Sequence, residues 1–141
     1  MATTRTAHTV WDGNLLEGKG TVSFDSSGIG DHPVSWPARA EEPNGKTSPE
    51  ELIAGAHSAC FSMALSNGLT KAGTPPTQLR TQAEVTFQPG TGITGIHLTV
   101  QGEVPGLDEA AFTSAAEDAK ANCPVSQALS GTTITLTAKL V

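Results

Sequence analysis

The stretch T-S-P-E-E-L-I-A-G-A-H-S-A-C-F-S-M-A-L-S, residues 47–66, reads as the start and body of one long helix. Ser48 can cap it, Pro49 suits the first helical position, and Glu51 sits three residues after Ser48 to complete a capping box. Leu52, Ile53, Ala56, Cys60, Met63 and Ala64 recur at three- and four-residue spacing and mark one apolar face. The pattern runs to about Ala72, where Gly73, Pro75 and Pro76 stop it. Gly55, Ala56, Ala59 and Ala64 are small, so another helix or a sheet can approach closely. The helix is therefore expected at the centre of the fold, with the rest of the chain built around it.

Outward from this helix the periodicity changes. Thr6, His8 and Val10 alternate with polar neighbours, and Trp11-Asp12-Gly13-Asn14 follows as a turn. Thr21 to Phe24 reads as a second strand, and Ser26 to Gly30 as another turn. Val34 and Trp36 suggest a third strand, with Pro33 and Pro37 confining it to an edge or loop. Beyond the helix, Ala83, Val85 and Phe87 alternate, as do Ile96, Leu98 and Val100. Asp108 can cap a helix through Phe112 and Ala116 to Ala121. Cys123-Pro124 opens a short helix reaching Leu129, and Ile134, Leu136, Ala138 and Leu140 form a last strand. The order βββ-α-ββ-α-α-β predicts an α+β fold, an antiparallel sheet with a long central helix, as one domain over residues 1–141.

Composition narrows the function. A 141-residue chain can bury enough surface to fold without disulfides. Hydrophobic residues make up 37%, but the core is Ala-rich and there is no Tyr, so association of subunits would help it. A net charge of −6 argues against nucleic acid or an anionic membrane surface as partner. No apolar run approaches the roughly 20 residues that span a bilayer. The first residues, M-A-T-T-R-T-A-H, lack the apolar stretch of a signal peptide. A cytoplasmic location is expected, where paired cysteines are more often reduced, catalytic or inert than permanently bridged.

The chemistry rests on Cys60 and Cys123, the chain's two thiols. They can be packing residues, metal ligands or a redox pair. Only a thiolate attacks well. Cys123, beside Pro124 at a helix start, has a helix dipole to favour its ionised form, so local electrostatics alone point to it as the attacker. Cys60 lies about three turns into its helix, where burial disfavours ionisation and a small core residue is the competing reading. A reactive Cys60 needs a cation from elsewhere; of Arg5, Arg39 and Arg80, Arg39 is the plausible donor. Glu50, in the first helical turn, suits the dipole and could also orient an arginine as a bidentate pair. In a continuous helix, Glu50 and Cys60 are about 15 Å apart along the axis and about 80° apart around it. Either the helix breaks, or Glu50 serves the Cys60 of a second copy. For metal, His57 and Cys60 could share a face and join Cys123 and another His, but one H-x-x-C without a C-x-x-C is a weak pattern. His57 is read instead as a packing or surface residue near the site. Gly28-Ile29-Gly30 lacks the third glycine of a phosphate loop, and no G-x-S-x-G is present. Trp11 and Trp36 read as core or interface anchors.

At these residues the sequence resembles the OsmC/Ohr family of osmotically inducible and organic hydroperoxide resistance proteins. The resemblance is carried by residues 47–66, by N-C-P-V-S-Q-A-L (122–129) and, for the OsmC branch, by W-D-G-N-L-L-E-G-K-G-T-V-S (11–23). It implies an intertwined homodimer with two active sites at the interface, and a thiol-dependent peroxidase acting on organic hydroperoxides. By motif position Cys60 corresponds to the peroxidatic cysteine, Cys123 to the resolving one, Glu50 to the motif glutamate and Arg39 to the arginine it holds. The implied cycle passes through a Cys60 sulfenic acid and a Cys60–Cys123 disulfide, is reset by a dithiol reductant of lipoyl type, and needs no metal or organic cofactor. A non-enzymatic redox sensor or binding protein on the same scaffold is the alternative; the full set Arg39, Glu50, Cys60 and Cys123 favours turnover.

Overall fold

The computed structural model describes residues 1–141 and divides the chain into two compact units, Met1–Leu52 and Ile53–Val141. In the first unit, strands β1 (His8–Asp12), β2 (Lys19–Ser23) and β3 (Asp31–Val34) form an antiparallel meander. Trp11 lies opposite Gly20 in this ladder, and a Cβ on Gly20 would stand 2.7 Å from the Trp11 ring. Glycine is thus what lets the indole lie flat on the neighbouring strand.

The expected third strand is only half strand. It ends at Val34, and Trp36–Ala40 form the short helix α1. Ser35 is its cap: the backbone is extended there, and Oγ accepts from the Ala38 N–H at 3.2 Å. Pro37 sits in the first turn, where its missing N–H costs nothing. The serine before Trp-Pro decides where the strand stops: Pro33 lies in β3, an edge strand as expected, while Pro37 belongs to a helix start.

Helix α2 runs unbroken over Pro49–Lys71, beginning in the first unit and continuing through the second. Ser48 Oγ accepts from the Glu51 N–H at 3.1 Å, while the Glu51 carboxylate takes the Thr47 hydroxyl at 2.6 Å. The serine half of the expected capping box is therefore present, and the glutamate bonds one residue further back.

In the second unit β4 (Gln78–Gln88) and β5 (Gly92–Glu103) pair antiparallel, and β6 (Ile134–Leu140) lies on the other side of β5. The antiparallel expectation holds for β1–β2, β2–β3 and β4–β5, but β5 and β6 run parallel. Helices α3 (Glu109–Asn122) and α4 (Pro124–Ala128) occupy the connection between them. A crossover of that length returns the chain in its original direction, which a hairpin cannot do.

The core of this unit packs Phe61, Leu65 and Leu69 of α2 with Leu98 and Val100 of β5 and Phe112, Ala116 and Ala119 of α3. The buried row of α2 thus passes through His57, Phe61, Leu65 and Leu69. Met63 is 71% exposed, and Ala56 and Ala59 are also exposed, so the inward face is rotated from the one the apolar spacing suggested. Large side chains set the rotation, because each buries several times the apolar area of an alanine. No helix is long and apolar enough to cross a membrane.

Gly102 of β5 faces α3, and a Cβ there would fall 2.5 Å from the Phe112 ring. Phe112 is fully buried and has nowhere to retreat. Gly102→Ala is expected to lower unfolding free energy by about 1–3 kcal/mol. Urea denaturation with an unchanged m value checks this; a wild-type midpoint contradicts it.

A paired-thiol candidate active site

Cys123 is where α3 becomes α4. Its N–H closes the end of α3 on the Ala119 carbonyl at 2.9 Å, and its own carbonyl accepts from Gln127 at 3.0 Å. The next residue, Pro124, lacks the N–H that would continue α3, and the chain leaves helical geometry at Cys123 with ψ at 129°. The thiol of Cys123 is fully buried, while that of Cys60 on α2 remains partly accessible. Both are free, and their sulfurs share a hydrogen bond at 2.9 Å. That is within about 1 Å of the S–S bond length of about 2.05 Å, so little motion would join them.

Burial pushes the Cys60 thiol above its ordinary range. The hydrogen bond with Cys123 pushes the same way, and the Val125 backbone N–H, which hydrogen-bonds the Cys60 sulfur, pulls it back. With these groups alone Cys60 holds its proton at neutral pH.

The first unit supplies the other predicted pair. Arg39, in the last turn of α1, meets Glu50 in the first turn of α2. Nε lies 3.0 and 3.2 Å from the two carboxylate oxygens, and Nη2 lies 2.9 Å from Oε2. Glu50 is buried and Arg39 partly exposed. A fork of this kind fixes the guanidinium plane rather than merely neutralising a charge. Arg39 also lines a cleft of about 410 Å³ whose other walls include Trp11, Leu15, Val22, Trp36 and Leu52. Trp11 and Trp36, expected as core or interface anchors, flank this cleft. One oriented cation in apolar walls suits a ligand with a greasy body and a polar or anionic end.

The structure therefore brings Cys60 to Cys123 and Arg39 to Glu50, one pair in each unit. Helix α2 has no break between Glu50 and Cys60. His57 is fully buried, and its Nε2 lies 2.7 Å from Ser126 Oγ. No group of three His, Cys, Asp or Glu side chains is gathered for a metal. Sequence reasoning missed Ser126 and the Val125 amide. A signal existed: Ser126 follows Cys123 by three residues, as His57 precedes Cys60 by three.

Two free cysteines this close, on a mixed α+β scaffold, have the geometry of a dithiol redox pair. Comparison with known proteins gives the family. Residues 42–139 match the OsmC-like protein family, and the chain belongs to it. It is 46% identical over 122 residues to Peroxiredoxin OsmC of Escherichia coli (strain K12), covering 84% of this chain and 85% of that one. The OsmC-like protein from Mycoplasma pneumoniae superposes with a TM-score of 0.75 at 16% identity, over 100% of this chain and 99% of the other. The organic hydroperoxide resistance protein OhrB of Bacillus subtilis gives 0.66 at 24% identity, over 96% and 98%. These two show the likeness of fold.

Burial draws the pKa of His57 down from 6.5, so the folded state resists its protonation while the unfolded chain does not. The unfolded state then binds more protons below about pH 6.5, and the neutral imidazole's contribution, complete above that pH, is lost as pH falls further. Between about pH 7 and 5, melting temperature is expected to fall more steeply for the wild type than for His57→Gln, which has no proton to take up. Parallel slopes for the two proteins contradict a neutral buried His57.

Proposed function

We propose that this protein is a thiol-dependent peroxidase that reduces organic hydroperoxides to alcohols, with Cys60 as the attacking sulfur and Cys123 as the resolving one. The observation that carries this reading is the 2.9 Å approach of two free thiols of unequal accessibility. A peroxide can reach the partly open Cys60, whereas Cys123 is sealed. The Cys60 thiolate attacks the outer peroxide oxygen, the O–O bond breaks, and the departing alkoxide takes a proton and leaves as an alcohol. Cys60 becomes a sulfenic acid. The Cys123 sulfur then attacks the Cys60 sulfur, the S–O bond breaks, and hydroxide leaves as water. A dithiol reductant of lipoyl type restores both thiols by exchange. Kinship with the E. coli peroxiredoxin supports the peroxide chemistry; the apolar cleft beside Arg39 supports an organic substrate.

Arg39, oriented by Glu50, is the cation this scheme needs to ionise Cys60. Because α2 is unbroken, we assign the Arg39–Glu50 pair of one chain to the Cys60 of a second copy, in a homodimer with its active sites at the interface. The exposed Ala56, Ala59 and Met63 face of α2 supports such a partner, since small residues and a methionine suit close helix packing. Residues 1–141 then act as one domain of each subunit, in a reducing cytoplasm.

Steady-state consumption of cumene hydroperoxide with dihydrolipoamide as donor tests the activity. Cys60→Ser is expected to abolish consumption, and Cys123→Ser to consume about one equivalent and stall. A wild type that stops after one equivalent is a sensor, and the catalytic reading fails. Sedimentation equilibrium at micromolar concentration is expected to give twice the chain mass; a monomer contradicts the shared site.

A further inference from the structure

Helix α4 spans Pro124–Ala128, five residues, too short to hold its shape or place unaided. Two side-chain hydrogen bonds join it to α2: Cys123 to Cys60 at 2.9 Å, and His57 Nε2 to Ser126 Oγ at 2.7 Å. His57 precedes Cys60 by three residues and Ser126 follows Cys123 by three, so the helices run antiparallel and the two bonds stand one turn apart. The first bond runs from the Cys123 thiol to the Cys60 sulfur, the atom the chemistry alters, and its geometry changes once that sulfur carries an oxygen. The second involves no sulfur and survives the chemistry.

The second bond is also hard to replace. His57 is fully buried and Ser126 only 4% exposed. The other imidazole nitrogen, Nδ1, is buried without a hydrogen-bond partner. All the polar satisfaction of the ring thus comes from one hydroxyl, and losing it would strand both nitrogens in the interior. The turn this bond anchors carries two groups aimed at Cys60, the Cys123 thiol and the Val125 N–H.

We propose that His57 and Ser126 are positioning residues for disulfide closure: their hydrogen bond holds the Cys123–Ser126 turn against α2 while Cys60 is oxidised, so that Cys123 attacks a sulfenic acid already in reach. The proposal rests on the peroxidase reading for its oxidant, but the geometry serves any two-electron oxidation of the pair. In closure the Cys123 sulfur bonds to the Cys60 sulfur, the S–O bond breaks, and the oxygen leaves as water. A turn released by about an ångström would slow this step by up to about 10²-fold. The sulfenic acid would then live long enough to meet a second peroxide and become sulfinic acid.

The test is single-turnover closure, by rapid acid quench and thiol labelling, on full-length wild type, Ser126→Ala, Ser126→Thr, His57→Gln and the Ser126→Ala/His57→Gln double variant. It is run where far- and near-ultraviolet circular dichroism of the reduced proteins match. Closure is triggered by excess cumene hydroperoxide and, separately, by diamide, an azo oxidant that takes two electrons from the dithiol to become a hydrazine. Ser126→Ala is expected to close at least about tenfold more slowly with either oxidant, and His57→Gln to do so to the extent that its amide fails to replace Nε2 as the partner of Ser126. With peroxide they should accumulate sulfinic acid by mass spectrometry. Ser126→Thr, which keeps a hydroxyl, is expected to close within about threefold of wild type, and the double variant no more slowly than the slower single one. If Ser126→Ala is too unstable to match, His57→Leu, which cannot hydrogen-bond Ser126, takes its place, and wild-type closure there overturns the proposal equally. Wild-type closure in Ser126→Ala, or losses that add in the double variant, overturn the proposal. A wild type that closes with diamide but not with peroxide ends the peroxidase reading, and the diamide rates still decide the positioning role.

Discussion

The 2.9 Å contact between Cys60 and Cys123 joins residues 63 positions apart, and ordinary helix chemistry holds each end of it. Cys60 is fixed because α2 is clamped to the second unit's core by Phe61, Leu65 and Leu69, all on the buried row that begins with His57. Cys123 is fixed because Pro124 forbids α3 to continue. The chain must turn at that residue, and the turn leaves the thiol pointing inward. Phe112, Ala116 and Ala119 seat α3 in the core beside β6, and the parallel return of β6 needs the crossover that α3 and α4 provide. The sulfur pair is thus a product of the main packing, and Gly102, which makes room for Phe112, supports it from a distance.

The same packing creates an electrostatic problem. A sulfur half-buried on an apolar helix keeps its proton, and its thiol neighbour reinforces that. One backbone amide from Val125 opposes them, and a single neutral donor does not outweigh burial. In our proposal the missing charge is Arg39, which Glu50 holds by a fork of two nitrogens rather than a single contact. Under that proposal the thiol would take its nucleophilic form only in the assembled dimer. A lone chain would keep Cys60 protonated and resistant to stray oxidants.

Much of this was legible in the sequence, for reasons that differ by element. Helix α2 announces itself through Ser48, Pro49 and a long apolar periodicity, and α3 through the Asp108 cap, whose side chain does accept from the Ala111 N–H. The Arg39–Glu50 pair was inferred from charge type and the family motif together. Three features were not legible. Ser35 turned an expected strand residue, Trp36, into a helix start, because its hydroxyl caps a first turn that Pro37 suits. The inward face of α2 was misjudged because spacing counts alanines and phenylalanines alike, whereas burial weighs area. The parallel β5–β6 pair depends on tertiary path, and alternation along a strand looks the same in either direction.

Ionisation and access give opposite answers about which cysteine reacts first. A helix start favours negative charge in general, and on that ground the sequence pointed to Cys123 as the attacker. Yet Cys123 is completely buried, and a nucleophile that no peroxide can reach has no rate, whatever its charge. Cys60 is disfavoured as a thiolate by its own surroundings but has an open side. Ionisation can be corrected from outside by a cation, at the cost of one oriented arginine. Access cannot be corrected without unmaking the α3–α4 turn. In the proposed cycle, attack by the partly open sulfur and resolution by the sealed one is therefore the order that keeps the fold intact, and it leaves the sealed thiol shielded from the substrate until its target has been oxidised.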